Sequence, residues 1–190
     1  MKSSDTTAQL LDVAQGLVQE RGYNAFSYKD LAAEVGIRTA SIHYHFPAKA
    51  DLGVALMGRY LAELEAALAS IDRKSRSASA KLKAFLKLYR DTEARGSICL
   101  CGSLASDRET LPEALQEAVA AYLDRSEAWV TETIAEGVRA GELSYAGKPD
   151  EAASALVASL QGGLILSRAQ GGSSHLATVQ RVFLQTLGAS

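Results

Sequence analysis

Apolar residues along this chain recur at helical spacing almost from end to end. Over residues 6–21, Leu10, Leu11, Ala14, Leu17 and Val18 share one stripe, and Gly22 follows where a left-handed cap suits glycine. Ser27 then offers an N-cap with Asp30 three residues on, the spacing of a capping box. Leu31, Ala32 and Val35 supply the apolar side of a short second helix, and Gly36 ends it. A third helix is expected over 38–45, with Ile42 facing inward. Phe46-Pro47 closes it, because proline disfavours helix in the residue before it and is at home in a first helical turn. The fourth helix, 47–71, carries Leu52, Leu56, Tyr60, Leu61, Leu64 and Leu68. Further helical periods cover 79–95, 98–107, 112–140, 149–170 and 175–188. Glycine- or proline-bearing breaks at Gly96, Thr110–Pro112, Gly141–Gly147 and Gly171-Gly172 separate them. No alternating run is long enough for a sheet. The pattern predicts an all-α chain of about nine helices, with the small, polar segment Asp72–Ser79 as the best candidate junction.

Composition narrows the class. Hydrophobic residues make up 47% of the 190 and charged residues 22%, which builds a globular core and excludes a disordered chain. The net charge of −2 is not that of a protein that coats nucleic acid non-specifically. The first 50 residues balance Lys2, Arg21, Lys29, Arg38 and Lys49 against Asp5, Asp12, Glu20, Asp30 and Glu34. Any case for DNA binding there must rest on geometry, not bulk charge. The N-terminus turns polar and amphipathic after one lysine, unlike a signal peptide, and no uninterrupted apolar run approaches a membrane span. The expectation is a cytoplasmic protein with no membrane partner.

Residues 27–52, SYKDLAAEVGIRTASIHYHFPAKADL, carry the functional signal. Two short helices meet at Gly36 in a turn typical of a helix-turn-helix, and glycine there permits the positive φ the turn needs. The second helix of the pair sets Arg38, Thr39, Ser41, His43, Tyr44 and His45 on positions outside the core. Such hydrogen-bonding side chains suit a helix lying in a major groove. His43 and His45 do not make a metal site, since residues i and i+2 on a helix point about 200° apart. No convergent Cys/His set stands elsewhere in the sequence.

This stretch, ending Ser41-Ile42-His43-Tyr44-His45-Phe46-Pro47-Ala48-Lys49, resembles the DNA-binding domain of the TetR/AcrR family of bacterial regulators. The resemblance implies a head over 1–50 and an effector-binding, dimerising body over 51–190. It assigns Lys49 to a phosphate contact, Tyr44 and His45 to phosphates or bases, and Thr39, Ala40 and Ser41 to base edges. Ser27 and Tyr28 fall at the second helix's N-terminus, where backbone N–H groups accept a phosphate. Two departures bear on the base contacts. Arg38 stands where the family often has Ser or Thr as the recognition helix's cap, and His43 where an aromatic is common. Arg38 would then meet a guanine or a phosphate.

In the body, small residues at Ala152, Ala153, Ala155, Ala158, Ser159, Gly162 and Gly163 let a facing helix come close. Val179, Val182, Phe183 and Leu187 mark the apolar side of the last helix. The two helices suit either a two-fold interface or an intramolecular bundle, and the resemblance favours a homodimer on a pseudo-palindromic operator. Cys99 and Cys101 are open to three readings: thiol sensors, soft-metal ligands, or small buried residues. Phe85, Tyr89, Tyr122, Trp129 and Gln161 line either an effector pocket or the core. No cofactor motif is present: the sequence lacks G-x-S-x-G and a phosphate loop. The reading is a regulator, most often a repressor in that family, and not an enzyme. A helical interaction module with an inactive head is the alternative.

Overall fold

A computed structural model describes residues 3–172 and 175–189. Among them every regular element is helical. These are α1 (Ser3–Arg21), α2 (Tyr28–Val35), α3 (Thr39–His45), α4 (Lys49–Lys74), α5 (Ala78–Ala94), α6 (Leu100–Ser106), α7 (Glu113–Arg139), α8 (Pro149–Ala169) and α9 (His175–Thr186). Single 3₁₀ turns stand at Tyr23–Ala25 and Arg108–Thr110. The all-α expectation holds, and most helix ends move by only a few residues. The fourth helix begins at Lys49 rather than Pro47, because the Ala48 N–H donates to the Asp51 carboxylate at 2.8 Å and caps it. It continues to Lys74, where Arg73 and Lys74 suit the negative end of the helix dipole. The expected junction at Asp72–Ser79 therefore shrinks to three residues before α5, with Ser77 as the N-cap.

By packing, the chain forms two units. The first comprises 1–62 and 100–122, the second 63–99 and 123–190. In the first unit α1 packs against α2 and α6. Leu10, Leu31, Ile42, Leu52 and Leu104 are buried together in its core. Specific polar ties bind 100–122 into this unit. Ser103 Oγ donates to the Val18 carbonyl at 2.8 Å, and the Tyr23 N–H donates to Asp107 Oδ2 at 3.0 Å. At Gly53 a Cβ would stand 2.7 Å from a Leu115 methyl, so glycine lets α4 and α7 approach there. In packing, α4 as far as residue 62 and the return segment 100–122 belong with the first three helices.

In the second unit α8 packs against α5 and α9. Its inner face presents Ala153, Leu156, Leu160 and Leu164, all buried. Phe85 of α5 stacks on Trp129 of α7, with ring centroids 5.5 Å apart. The Trp129 indole N–H donates to Asp72 Oδ2 at 3.1 Å, which satisfies the one polar atom of that ring. Gln180 of α9 is buried and donates to the Leu86 carbonyl at 2.8 Å. By length and composition α8 is apolar enough to cross a membrane. Its apolar inner face is accounted for here by packing on its neighbours.

Candidate nucleic-acid interface

The turn between α2 and α3 is built from its ends inward. Ser27 caps α2 through a complete capping box, in which its side chain accepts from the Asp30 N–H while the Asp30 carboxylate accepts from the Ser27 N–H at 2.8 Å. Ser27 Oγ also donates to that carboxylate at 2.6 Å. These bonds hold the Asp30 carboxyl below its ordinary value. At the other end Gly36 adopts φ 77°, ψ 31°, a left-handed conformation that a side chain would strain. The Gly36 and Ile37 N–H groups both donate to the Ala32 carbonyl, at 2.9 and 3.1 Å, which closes α2 and redirects the chain into α3.

Among α3 residues only Ile42 is buried, fully, and Phe46 beyond its end is buried as well. The rest of the helix is left outward. Arg38, Ala40, Ser41, His43 and Tyr44 are exposed, Tyr44 to 81%, and Thr39 and His45 are half-buried. Arg38 serves as the N-cap without any side-chain capping bond, so its guanidinium is not spent on the helix end. Ala40, Ser41, Tyr44 and His45 line a shallow groove together with Arg38 and Thr6. The His45 ring nitrogen Nδ1 lies 3.0 Å from Thr7 Oγ1, so α1 holds the C-terminal end of α3. His43 is held differently: Nδ1 lies 3.1 Å from the Pro47 carbonyl, and its ring meets the Tyr28 ring edge-on at 4.9 Å.

Two of the expected contact residues turn inward. Tyr28 is buried, and its hydroxyl donates to the carbonyls of Phe46 and Ala48 at 2.9 and 2.7 Å. Burial, then the nearby Asp51 carboxylate, pushes its pKa up to about 12. Tyr28 therefore fixes the α3–α4 turn, and its hydroxyl is not presented to a phosphate. Lys49 sends its ammonium to the carbonyls of Tyr23, at 2.6 Å, and Phe26. It lies over the rings of both, 4.6 and 4.1 Å from their centroids. Burial lowers its pKa. A phosphate contact would require it to leave these partners. The capping box likewise occupies the Ser27 and Asp30 N–H groups and sets a carboxylate at the N-terminus of α2, where a phosphate would approach. The sequence did not single out Thr6 and Thr7; their signal was the polar start of α1, just before its apolar stripe.

The body candidates separate. Phe85, Tyr89 and Trp129 are buried together in the second unit, Phe85 meeting both other rings. They form core there. Tyr122 belongs to the first unit, where it stacks on Tyr60 at 4.8 Å. The Gln161 side-chain nitrogen is buried with no hydrogen-bond partner. Cys99 and Cys101 are buried thiols outside any disulfide, 3% and 0% exposed, and fall in different units. Among the described residues no group of three or more His, Cys, Asp or Glu side chains is placed to hold a metal ion.

Residues 10–56 match the family of bacterial regulatory proteins, tetR family, and residues 78–183 match the tetracyclin repressor-like C-terminal domain. A TetR transcriptional regulator from Legionella pneumophila is 33% identical, with 98% of this chain and 100% of that one covered and a TM-score of 0.89. A TetR-family regulator from Agrobacterium tumefaciens is 30% identical, with 98% and 99% covered and a TM-score of 0.94. The transcriptional regulator AcuR of Cereibacter sphaeroides is 25% identical over 176 residues, 86% of this chain and 77% of that protein. These relatives are transcriptional regulators rather than enzymes. With a helix-turn-helix head and a helical body each matched to its counterpart, this chain belongs to the TetR family of bacterial transcriptional regulators.

Proposed function

We propose that this regulator acts in the cytoplasm as a homodimer that reads a pseudo-palindromic operator with α3 and leaves it when an effector binds the body. The observation that carries the reading is the outward arc of α3. A helix held by one buried residue, with Arg38, Ser41, His43 and Tyr44 exposed, is suited to base edges and phosphates. Thr39 and Ala40 complete the face toward bases, and His45 is steadied by Thr7. Specific contacts supply what the balanced charge of the head does not.

The dimer reading rests on α8 and α9. The outer side of α8 carries Ala155, Ala158, Ser159, Gly162, Ile165 and Leu166, a stripe at i, i+3, i+4, i+7, i+10 and i+11. Ile165, Leu166 and, on α9, Val182 are exposed large hydrophobes. A Cβ at Gly162 would meet nothing, which leaves room for a helix to approach. A two-fold partner covers this stripe and provides two recognition helices. Both α4 and α7 contribute to each packing unit, so an effector that prefers one body conformation shifts the head's as well. Repression is the expected sign. Burial of both thiols favours Cys99 and Cys101 as small core residues, so a Cys99→Ser/Cys101→Ser protein that still folds should keep every effector response.

The test is selection of random duplex DNA by the full-length protein, with sequencing of the bound pool. An enriched two-fold motif is expected, with affinity falling as salt rises. No enrichment at low salt by folded protein, at any stage of effector removal, favours instead an interaction module with an inactive head.

A further inference from the structure

The second unit holds a cavity of about 310 Å³ between the C-terminal ends of α5 and α8. Glu93 and Ser97 line one side, and Leu164, Ser167 and Arg168 the other. The turn at Gly171-Gly172 closes its edge. Glu93 Oε1 is buried and accepts no hydrogen bond. A carboxylate oxygen taken out of water without a donor is costly, and folded proteins rarely leave one so. The helix ends around the cavity favour a cation there, while Arg168 opposes one. Both helices end at the cavity, so both present the negative end of their dipoles to it. The Ser97 and Ser167 side chains add hydroxyl acceptors. On α8, Gln161 precedes Leu164 and Arg168 by three and seven residues and so lies on the same side of the helix. Its side-chain nitrogen is a second buried polar atom with no partner along that side. Arg168 is the one lining group that would favour an anion instead, and its pull must be tested against that of Glu93.

We propose that this cavity binds a small ligand bearing a protonated primary amine, which donates to Glu93 Oε1. The site deepens the effector reading above by naming a ligand chemistry, and its binding test needs no DNA. The size fits a short aliphatic or amino-bearing molecule rather than a polycyclic one. A primary ammonium brings N–H donors that a quaternary ammonium lacks, and the orphan oxygen needs a donor and not only a positive charge.

The experiment is calorimetric titration of the full-length protein with n-butylammonium chloride and, in parallel, with sodium n-butyrate and tetramethylammonium chloride. Saturable binding of butylammonium alone is expected. Glu93→Gln should weaken it by about tenfold or more while leaving the fold intact, because the amide keeps the shape and loses the charge. Ser97→Leu, a change in the loop after α5, should fill the cavity and abolish binding. Absence of saturable binding by wild-type protein overturns the proposal, as does preference for butyrate through Arg168. Undiminished butylammonium binding by Glu93→Gln overturns it too. Operator selection proceeds separately, so loss of this site leaves the DNA-binding reading standing, and an inactive head leaves this site standing.

Discussion

The outer faces of α3 and α8 are both uncovered within the chain, yet they are made in opposite ways. Helix α3 is short, has one fully buried residue, Ile42, and offers Arg38, Ser41, His43 and Tyr44 outward. Helix α8 buries eight residues on its inner side and offers small and aliphatic ones outward, with Leu166 49% exposed. A polar exposed face is stable in water and waits for a polar partner. An apolar stripe of this length is unusual on a surface that stays solvated. On the proposed function, the difference separates two kinds of recognition: α3 for a reversible, salt-sensitive contact, α8 for a lasting one. It also means that changes on the outer side of either helix should act on binding while the core beneath holds.

Charging the α8 stripe should separate the two faces most strongly. Ile165→Glu/Leu166→Glu should yield a folded monomer, since neither side chain is part of the core. Operator affinity should then fall by about a hundredfold or more, because a second recognition helix no longer adds its contacts to the first. Sedimentation together with operator titration measures both. A dimer that survives the double change would show that another face joins the copies.

Lys49→Ala tests where the head's geometry ends and its recognition begins. The ammonium holds the Tyr23 and Phe26 carbonyls, so its loss should cost about 1–2 kcal/mol of stability, allowing for its partial exposure. DNA binding should weaken uniformly across sequences as a consequence. Weaker binding with an unchanged melting temperature would instead make Lys49 a phosphate ligand that reaches out of the head. Tyr44→Ala is the matching change on α3. With the ring 81% exposed, stability should hold within about 0.5 kcal/mol, while operator affinity drops by about tenfold.

Much of this was legible in the sequence, and the reasons are local. Apolar stripes at helical spacing, the Ser27–Asp30 cap and the glycine after Val35 define α1 to α3 by short-range physics alone. The α8 stripe was legible as small residues, but which of them face inward was not. Ala152 and Ala153 are buried while Ala155 and Ala158 are exposed, and only the neighbours α5 and α9 decide that. The same limit explains Tyr28 and Lys49. Their positions along the chain suit a phosphate, but carbonyls from distant residues claim the hydroxyl and the ammonium first. The aromatic candidates show a related limit, since Phe85 and Trp129 find each other across 44 residues of chain. Nothing local foretold the return of 100–122 to the head, which depends on Ser103 meeting Val18 and Asp107 meeting Tyr23.

The smallest effect separates stability from recognition within the body itself. Asp72 accepts from the Trp129 indole and pairs with Lys81 at 3.1 Å. Burial pushes the Asp72 carboxyl up, but the bonds from Trp129 and Lys81 outweigh it and the pKa lies below its ordinary 3.8. The hydrogen bond that Lys81 donates to Asp72 raises Lys81 above its ordinary 10.5. A depressed carboxyl stabilises fully above 3.8 and loses that contribution as pH falls through the folded value. A raised lysine stabilises fully below 10.5 and loses its contribution as pH rises through the folded value. The pair therefore contributes a plateau between these limits, with Trp129 adding to the acid edge and Glu136 to the alkaline one. Asp72→Asn keeps an acceptor for the indole but removes the charge. It should lower the melting temperature modestly across the plateau, converge with wild type in acid and narrow the gap at alkaline pH, because the pair is partly exposed and screened. Melting curves from acid to alkaline pH measure this. An offset that persists in acid would mean that the indole bond, and not the charge, carries the contact. Operator affinity at neutral pH should not change, since neither face compared above contains Asp72.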